Sequence, residues 1–277
     1  MKSCGILYAA TGESHLGEAA HSAHSVRQFH PELPTVLFTS AQDDTKHGPW
    51  LRETFTEVKL HPDPKFSYRD KIHPLCLSPF DKTVFLDADT ELIGRIDDVF
   101  DLLDSYPLAC CRDTTRYNLP ARDVPAAFSE PNTGVIAFAK SEATERLFRL
   151  WLQKYDEGLA RHRAEVGSAK GYHDQSSFRE SLFETKFPLY VLAEEYNLRA
   201  YALWYAGAKV RILHAREPYL SRVRHTINRS EDMRYGDGEP PLRRGVIELK
   251  RWIKSRLLHR APAWPDKENL NKRYPIR

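Results

Sequence analysis

The sequence predicts an α/β sandwich on a mostly parallel sheet, and three observations carry that expectation. Short apolar or β-branched runs recur as strand candidates at Gly5–Ala10, Thr35–Thr39, Thr83–Asp87, Leu108–Cys111 and Gly134–Phe138. Helix-patterned stretches fall between several of them at short intervals, the alternation that builds βα units. The chain has 277 residues, 41% hydrophobic and 11% aromatic, enough for one large core and against a fully disordered chain.

Taken in order, Gly5-Ile-Leu-Tyr-Ala-Ala10 reads as a buried strand, and Thr11-Gly12-Glu13-Ser14 as a turn into a helix that runs to Phe29. Pro31 and Pro34 break that helix before the strand Thr35–Thr39, and a further strand fits Glu57–Leu60. A helix is expected over Tyr68–Leu77, bent or interrupted at Pro74. Thr83-Val-Phe-Leu-Asp87 is the best strand in the chain. After the strands at Leu108 and Gly134, a helix over Glu142–Tyr155 carries Leu147, Leu150 and Trp151 at helical spacing. In sheets of this kind, ligands sit beyond the carboxyl ends of the strands.

The net charge is only +3, which argues against a uniformly basic nucleic-acid binder. The charge is uneven. Residues 241–277 hold 11 Lys and Arg against 3 Asp and Glu, which leaves 30 against 35 for the residues before them. The break falls in Tyr235-Gly-Asp-Gly-Glu-Pro-Pro241. The expected division is a catalytic domain over 1–225 and a basic, helical tail over 226–277. Cys4, Cys76, Cys110 and Cys111 have no metal-ligand spacing and read as reduced thiols on core strands. No run approaches the roughly 20 apolar residues of a membrane-spanning helix, and the first residues lack a signal-peptide pattern. The expected location is cytoplasmic, with peripheral contact on the inner face of a membrane as an option for the tail.

The strand Thr83–Leu86 runs into Asp87-Ala-Asp89-Thr90. Positions two apart in extended backbone share a face, so both carboxylates are expected to point the same way. Two like charges that close repel unless a cation sits between them, and a hard divalent ion with oxygen ligands fits. The small Ala88 leaves room for a ligand. The bland alternative is a pair of solvated turn aspartates. Haloacid-dehalogenase-type phosphatases compete for the same pattern, with Asp87 as nucleophile and Asp89 as general acid. Against them, Glu91 stands where that motif has Thr or Val. No Gly-x-Gly-x-x-Gly is present, so a dinucleotide site is disfavoured.

Beyond these residues the chain resembles a known family. Ser78-Pro-Phe-Asp81 followed by Thr83-Val-Phe-Leu-Asp-Ala-Asp-Thr90 looks like the segment that carries the Asp-x-Asp (DXD) motif in GT-A-fold nucleotide-diphospho-sugar transferases. The likeness is to glycosyltransferase family 8, the glycogenin-like and lipopolysaccharide-galactosyltransferase group. Pro131-Asn132-Thr133-Gly134-Val135, His173-Asp174-Gln175, Glu195-Tyr196-Asn197 and Val210-Arg-Ile-Leu-His214 resemble its later motifs, in order, over about residues 5–220. Two departures stand out. Gly171 occupies a position where many members carry Asp, and His214-Ala-Arg-Glu-Pro-Tyr219 lacks the Gly and Lys that usually follow the late His.

The resemblance implies a GT-A α/β/α sandwich and a hexosyltransferase-like enzyme that is metal-dependent. It would move a sugar from a nucleotide sugar, a UDP-sugar by preference, to an acceptor hydroxyl with retention. It implies Mn²⁺ or Mg²⁺ on Asp87, Asp89 and His214. Ala9, Ala10 and Thr11 would face base and ribose. Lys71, with Arg69 as a nearby substitute, would meet the donor sugar or phosphates. Asp113, Asn132 and Thr133 would bind sugar hydroxyls, and Asp174 and Gln175 would lie on the reacting face. Arg216 or Arg222 would replace the missing Lys at the diphosphate. A glycan, lipid-linked or protein acceptor is expected. A non-catalytic nucleotide-sugar-binding protein is a further alternative. Asp174 also reads simply as a helix cap. In the tail, Val246, Leu249, Trp252, Ile253 and Leu257 fall near helical spacing among basic residues. That helix either lies on an anionic membrane or packs on the catalytic domain. Nucleic-acid binding by the tail is a weaker third reading, and no nucleic-acid partner is expected.

Overall fold

The structure is a computed structural model, and it describes residues 2–114, 124–202, 204–229 and 233–236. The tail residues Val246 to Leu257 lie outside the described residues. The chain runs β1 (Cys4–Ala9), α1 (Glu13–Phe29), β2 (Thr35–Thr39), α2 (Ala41–Thr54), β3 (Glu57–Leu60) and a 3-10 turn (Tyr68–Lys71) leading into α3 (Ile72–Cys76). Next come β4 (Lys82–Leu86), β5 (Thr90–Leu92), α4 (Asp97–Leu102), β6 (Leu108–Arg112), β7 (Pro131–Ala139), α5 (Glu142–Val166) and α6 (Gln175–Thr185). It finishes with β8 (Tyr190–Val191), β9 (Leu198–Arg199), β10 (Trp204–Ala206), β11 (Ile212–His214), α7 (Tyr219–Val223) and β12 (Arg234–Gly236).

Among the described residues the main sheet has seven strands in the order β3-β2-β1-β4-β7-β6-β8. Only β7 runs against its neighbours, β4 and β6. The mostly parallel sheet expected from the sequence is therefore present. Side chains alternate across it. Ile6, Tyr8, Val84 and Leu86 pack with Leu16, Ala19 and Val26 of α1 on one face. Leu7 and Phe85 pack with Leu147, Phe148 and Trp151 of α5 on the other. Both faces of the central strands are thus covered, which is why they read as unbroken apolar runs. A small sheet, β5-β11-β9, pairs β11 antiparallel to β5, with His214 opposite Thr90.

Several elements differ from expectation. The stretch Tyr68–Leu77 splits into a 3-10 turn and a short helix containing Pro74. α2 forms despite Gly48 and Pro49, because the Ser40 hydroxyl accepts the Asp43 N–H at its start and Leu51 is buried. α5 extends past Tyr155 to Val166 and stops at Gly167, whose φ of 75° suits glycine. All four cysteines are free, and Cys110 and Cys111 are buried on β6. No described helix is long and apolar enough to cross a membrane. One compact unit runs from Met1 to Asp237.

Candidate functional site

The end of β4 and the end of β11 meet at one point. A carboxylate oxygen from each of Asp87 and Asp89 and a ring nitrogen of His214 lie within 4.8 Å of one another. Strand alternation is not what brings the two carboxylates together. Asp87-Ala-Asp89 is a turn closed by the Thr90 N–H and hydroxyl on the Asp87 carbonyl, at 3.2 and 2.8 Å. The pairing of β5 with β11 then sets the ring beside Asp89, with His214 Nε2 3.4 Å from Asp89 Oδ1. Ala88 in the turn is half-buried and adds only a methyl group beside the carboxylates.

Charge around this point is met in part by Lys71. Its Nζ contacts both Asp87 oxygens at 3.1 Å, Asp174 at 3.2 Å and the Thr133 hydroxyl at 3.2 Å. Burial alone would disfavour the Lys71 ammonium, but Asp174 and Asp87 outweigh it and hold its pKa above the ordinary lysine value. Burial raises the Asp87 carboxyl above its usual value despite Lys71, with Asp89 adding to the rise. Burial opposes charge at Asp89 too, yet His214 and Arg216 overcome it and keep that carboxyl well below the usual range. Lys71 therefore serves two carboxylates with one charge, and Asp87 remains the group that gains most from a further cation.

Asp174 stands at the start of α6 but does not cap it with its side chain. Its carboxylate instead accepts the Thr133 hydroxyl at 2.6 Å and pairs with Lys71. Beside it lies a buried amide network. Asn132 Nδ2 donates to Asp113 at 3.3 Å and to Gln175 Oε1 at 3.2 Å. Gln175 Nε2 donates to Asp113 at 2.8 Å and Glu130 at 3.0 Å. Asp113 also pairs with Arg199. A bulge in β6 between Cys110 and Arg112 precedes Asp113. Asn197 joins this network to the metal-type cluster, with Oδ1 2.8 Å from His214 Nδ1 and Nδ2 2.7 Å from Asn132 Oδ1.

The other expected residues are distributed around this centre. Ala9 and Ala10 end the first strand, and the Thr11 hydroxyl donates to the buried Asp70 at 2.9 Å. Gly12 has φ 89° and gives its N–H to Asp43, a turn that other residues adopt only with strain. Arg216 sits at the rim, bonded to Glu18 at 2.7 Å and 3.8 Å from Asp89. Arg222 lies over the Tyr219 ring. Arg69 is not drawn into the cluster. Its guanidinium is committed to Asp156 at 2.7 and 3.1 Å and to Asp63 at 3.1 Å. Sequence reading assigned no role to Asn197, Glu130 or Glu18. For Asn197 the Tyr196-Asn197 motif was a signal without a chemistry attached; Glu130 and Glu18 gave none.

Two carboxylates and one imidazole, with ligand atoms converging within 4.8 Å, are a donor set suited to a borderline divalent ion such as Mn²⁺. The residues present therefore fit the ion that the resemblance implies.

No family model matches the sequence, and no characterised protein matches it by sequence. By structure the chain is similar to mouse xyloside xylosyltransferase 1 in its apo form, with a TM-score of 0.51 and 14% identity over 78% of this chain and 98% of that one. It is also similar to the galactosyltransferase LgtC in complex with donor and acceptor sugar analogs, with a TM-score of 0.52 and 13% identity over 77% of this chain and 87% of that one. At these identities the likeness establishes the fold, a GT-A-type α/β sandwich.

Proposed function

We propose that this chain is a metal-dependent glycosyltransferase of the family 8 type, which transfers a sugar from a nucleoside diphosphate sugar, a UDP-sugar by preference, to an acceptor hydroxyl. One observation carries the reading: Asp87, Asp89 and His214 converge at a strand end of a GT-A-type fold, over the buried Lys71. The names of the two similar structures, a xylosyltransferase and a galactosyltransferase, support the same reaction class. They do not favour the phosphatase alternative.

Breaking the anomeric C–O bond leaves negative charge on the departing diphosphate. A divalent ion, when bound, supplies Lewis-acid stabilisation of that charge. Asp87, Asp89 and His214 would hold it. Arg216, bonded to Glu18 at the rim and 3.8 Å from Asp89, is the second cation near enough to serve the diphosphate. Lys71 pairs with both Asp87 and Asp174 and holds the two carboxylates in register beside the sugar. Ala9, Ala10 and Thr11 face the nucleoside. Asp113, Asn132, Thr133 and Gln175 present their remaining hydrogen-bonding capacity to sugar hydroxyls. Asp174 and Gln175 border the reacting face, and the expected outcome is retention of anomeric configuration. A pocket of about 650 Å³ adjoins Asp113 and Glu130 and is lined also by Trp204, Tyr205 and Tyr235. Aromatic faces beside carboxylates suit a pyranose ring, and we assign the acceptor, a glycan, to it.

A thermal-shift panel of nucleoside diphosphates with and without Mn²⁺ tests the reading. UDP should stabilise the protein only when Mn²⁺ is present, by about 2.7 kcal/mol at a hundredfold excess over its Kd. The same unfolding temperature under all conditions would overturn the proposal.

A further inference from the structure

Every hydrogen-bond role in the chain of groups behind His214 follows from one fixed donor. The backbone N–H of Gly134 points at Asn132 Oδ1, at 2.9 Å. A backbone N–H can only donate, so that atom of Asn132 is its oxygen. The opposite end of the same amide faces the Asp113 carboxylate and Gln175 Oε1, as an NH₂ group must. The Asn197 atom 2.7 Å from Asn132 Oδ1 must then be the NH₂ group. That turns Asn197 Oδ1 toward His214 Nδ1 at 2.8 Å, and Nδ1 must carry the hydrogen.

We infer that the tautomer of His214 is dictated by the Gly134 N–H through Asn132 and Asn197, and that these residues are the positioning elements that aim His214 Nε2 at the cation site. The inference rests on the proposed cation site of Asp87, Asp89 and His214. With Nδ1 committed to Asn197, Nε2 is the ring nitrogen left to face Asp89 Oδ1, 3.4 Å away, and its lone pair is the one a cation there would take. The geometry of Gly134 serves the same end. A Cβ there would come 2.2 Å from His214 Cε1 and 2.6 Å from Nδ1, so only glycine lets the ring lie against β7. The segment Asn132-Thr133-Gly134 thus works as one unit. Its Asn orients the imidazole, its Gly makes room for it, and its Thr bonds Asp174. Since the Asn132 amide also touches Gln175 and Asp113, the orientation of the metal-type ligand is tied to the groups that face the sugar.

The two halves of the Asn197 amide separate the two connections. Asn197→Asp keeps an acceptor for the Nδ1 hydrogen and loses the donor to Asn132; Asn197→Ala loses both. Nitrogen-15 correlation spectra of the imidazole, recorded on the metal-free full chain, should find the His214 hydrogen on Nδ1 in wild type and in Asn197→Asp, and not held there in Asn197→Ala. Titration with Mn²⁺ alone, read by calorimetry, should give near wild-type affinity for Asn197→Asp and a loss of about 10–100-fold for Asn197→Ala. In the transfer reaction, Asn197→Asp should lose kcat while keeping its Mn²⁺ affinity. A wild-type ring with the hydrogen on Nε2 overturns the inference without any variant. So does an Asn197→Ala protein with unchanged tautomer and unchanged Mn²⁺ affinity. If wild type holds the Nδ1 hydrogen as stated but takes up no Mn²⁺, the cation-site reading falls instead.

Discussion

His30 with Glu32 and Asp97, and His214 with Asp87 and Asp89, are the same three chemical groups held in two different ways. In the first group the ring is buried but both nitrogens are spent. Nδ1 pairs with Glu32 at 3.0 Å, and Nε2 accepts the Ile96 N–H at 2.9 Å. Arg95 lies across both acids, 3.0 Å from Glu32 and 2.7 Å from Asp97. In the second, one ring nitrogen is anchored by Asn197, and the other looks at a carboxylate. Nearness of ligand-type residues is therefore common to both. What distinguishes a site is a nitrogen left over after the hydrogen bonds are assigned, and carboxylates whose charge is incompletely matched. The first group is a structural clasp between the end of α1 and the start of α4.

The strongest test removes the internal counter-ion of the second group. Lys71→Met leaves the buried Asp174 and the half-buried Asp87 without their partner and should lower stability by about 3–5 kcal/mol, measured by denaturant unfolding. An unchanged midpoint would mean that the carboxylates do not depend on Lys71. Next, Asp89→Ala should lower transfer by about 10²–10³-fold with the fold intact by circular dichroism. Full retained activity would refute its assigned role.

The clasp should answer in the opposite sense. His30→Ala leaves the Ile96 N–H buried without a partner and should cost about 1–3 kcal/mol of stability, with Mn²⁺ affinity unaltered. A loss of Mn²⁺ binding in that variant would erase the distinction between the two groups. The smallest effect concerns pH. The raised Asp87 pKa means that the native state holds this proton more tightly than the unfolded chain does. Metal-free wild type thus loses stability as pH rises from the ordinary carboxylate range through the folded value. Asp87→Asn cannot ionise, so its metal-free Tm should exceed that of wild type near about pH 7, with the gap closing on acidification. Calorimetry across that range checks the sign, and added Mn²⁺ should reverse the order.

Much of this architecture was legible because it is local. The runs Gly5–Ala10, Thr35–Thr39 and Thr83–Leu86 appear as strands since they are buried on both faces and are therefore near-continuous apolar or β-branched runs. The helix Ala41–Thr54 was not legible, because its Gly48 and Pro49 oppose it and the cap at Ser40 and the burial of Leu51 decide the matter. Within the site, Asp87 and Asp89 announced themselves by following a strand. Their convergence comes from a turn and not from extended backbone. The resemblance leaves Arg69 as a nearby substitute for Lys71, and its pairing with Asp156 and Asp63 takes it out of the cluster.

The sequence by itself determined the central strands Gly5–Ala10, Thr35–Thr39 and Thr83–Leu86 and the helices after them at Glu13 and Glu142, and it marked the acidic pair after β4, since all follow from short-range pattern. Tertiary structure alone decided that β11 lies against β5 with His214 opposite Thr90, that Lys71 reaches Asp174, and that Asn197 links His214 to Asn132. Those contacts join residues far apart along the chain. Nothing in local pattern fixes their register; only the packed sheet and the need to satisfy every buried polar group do.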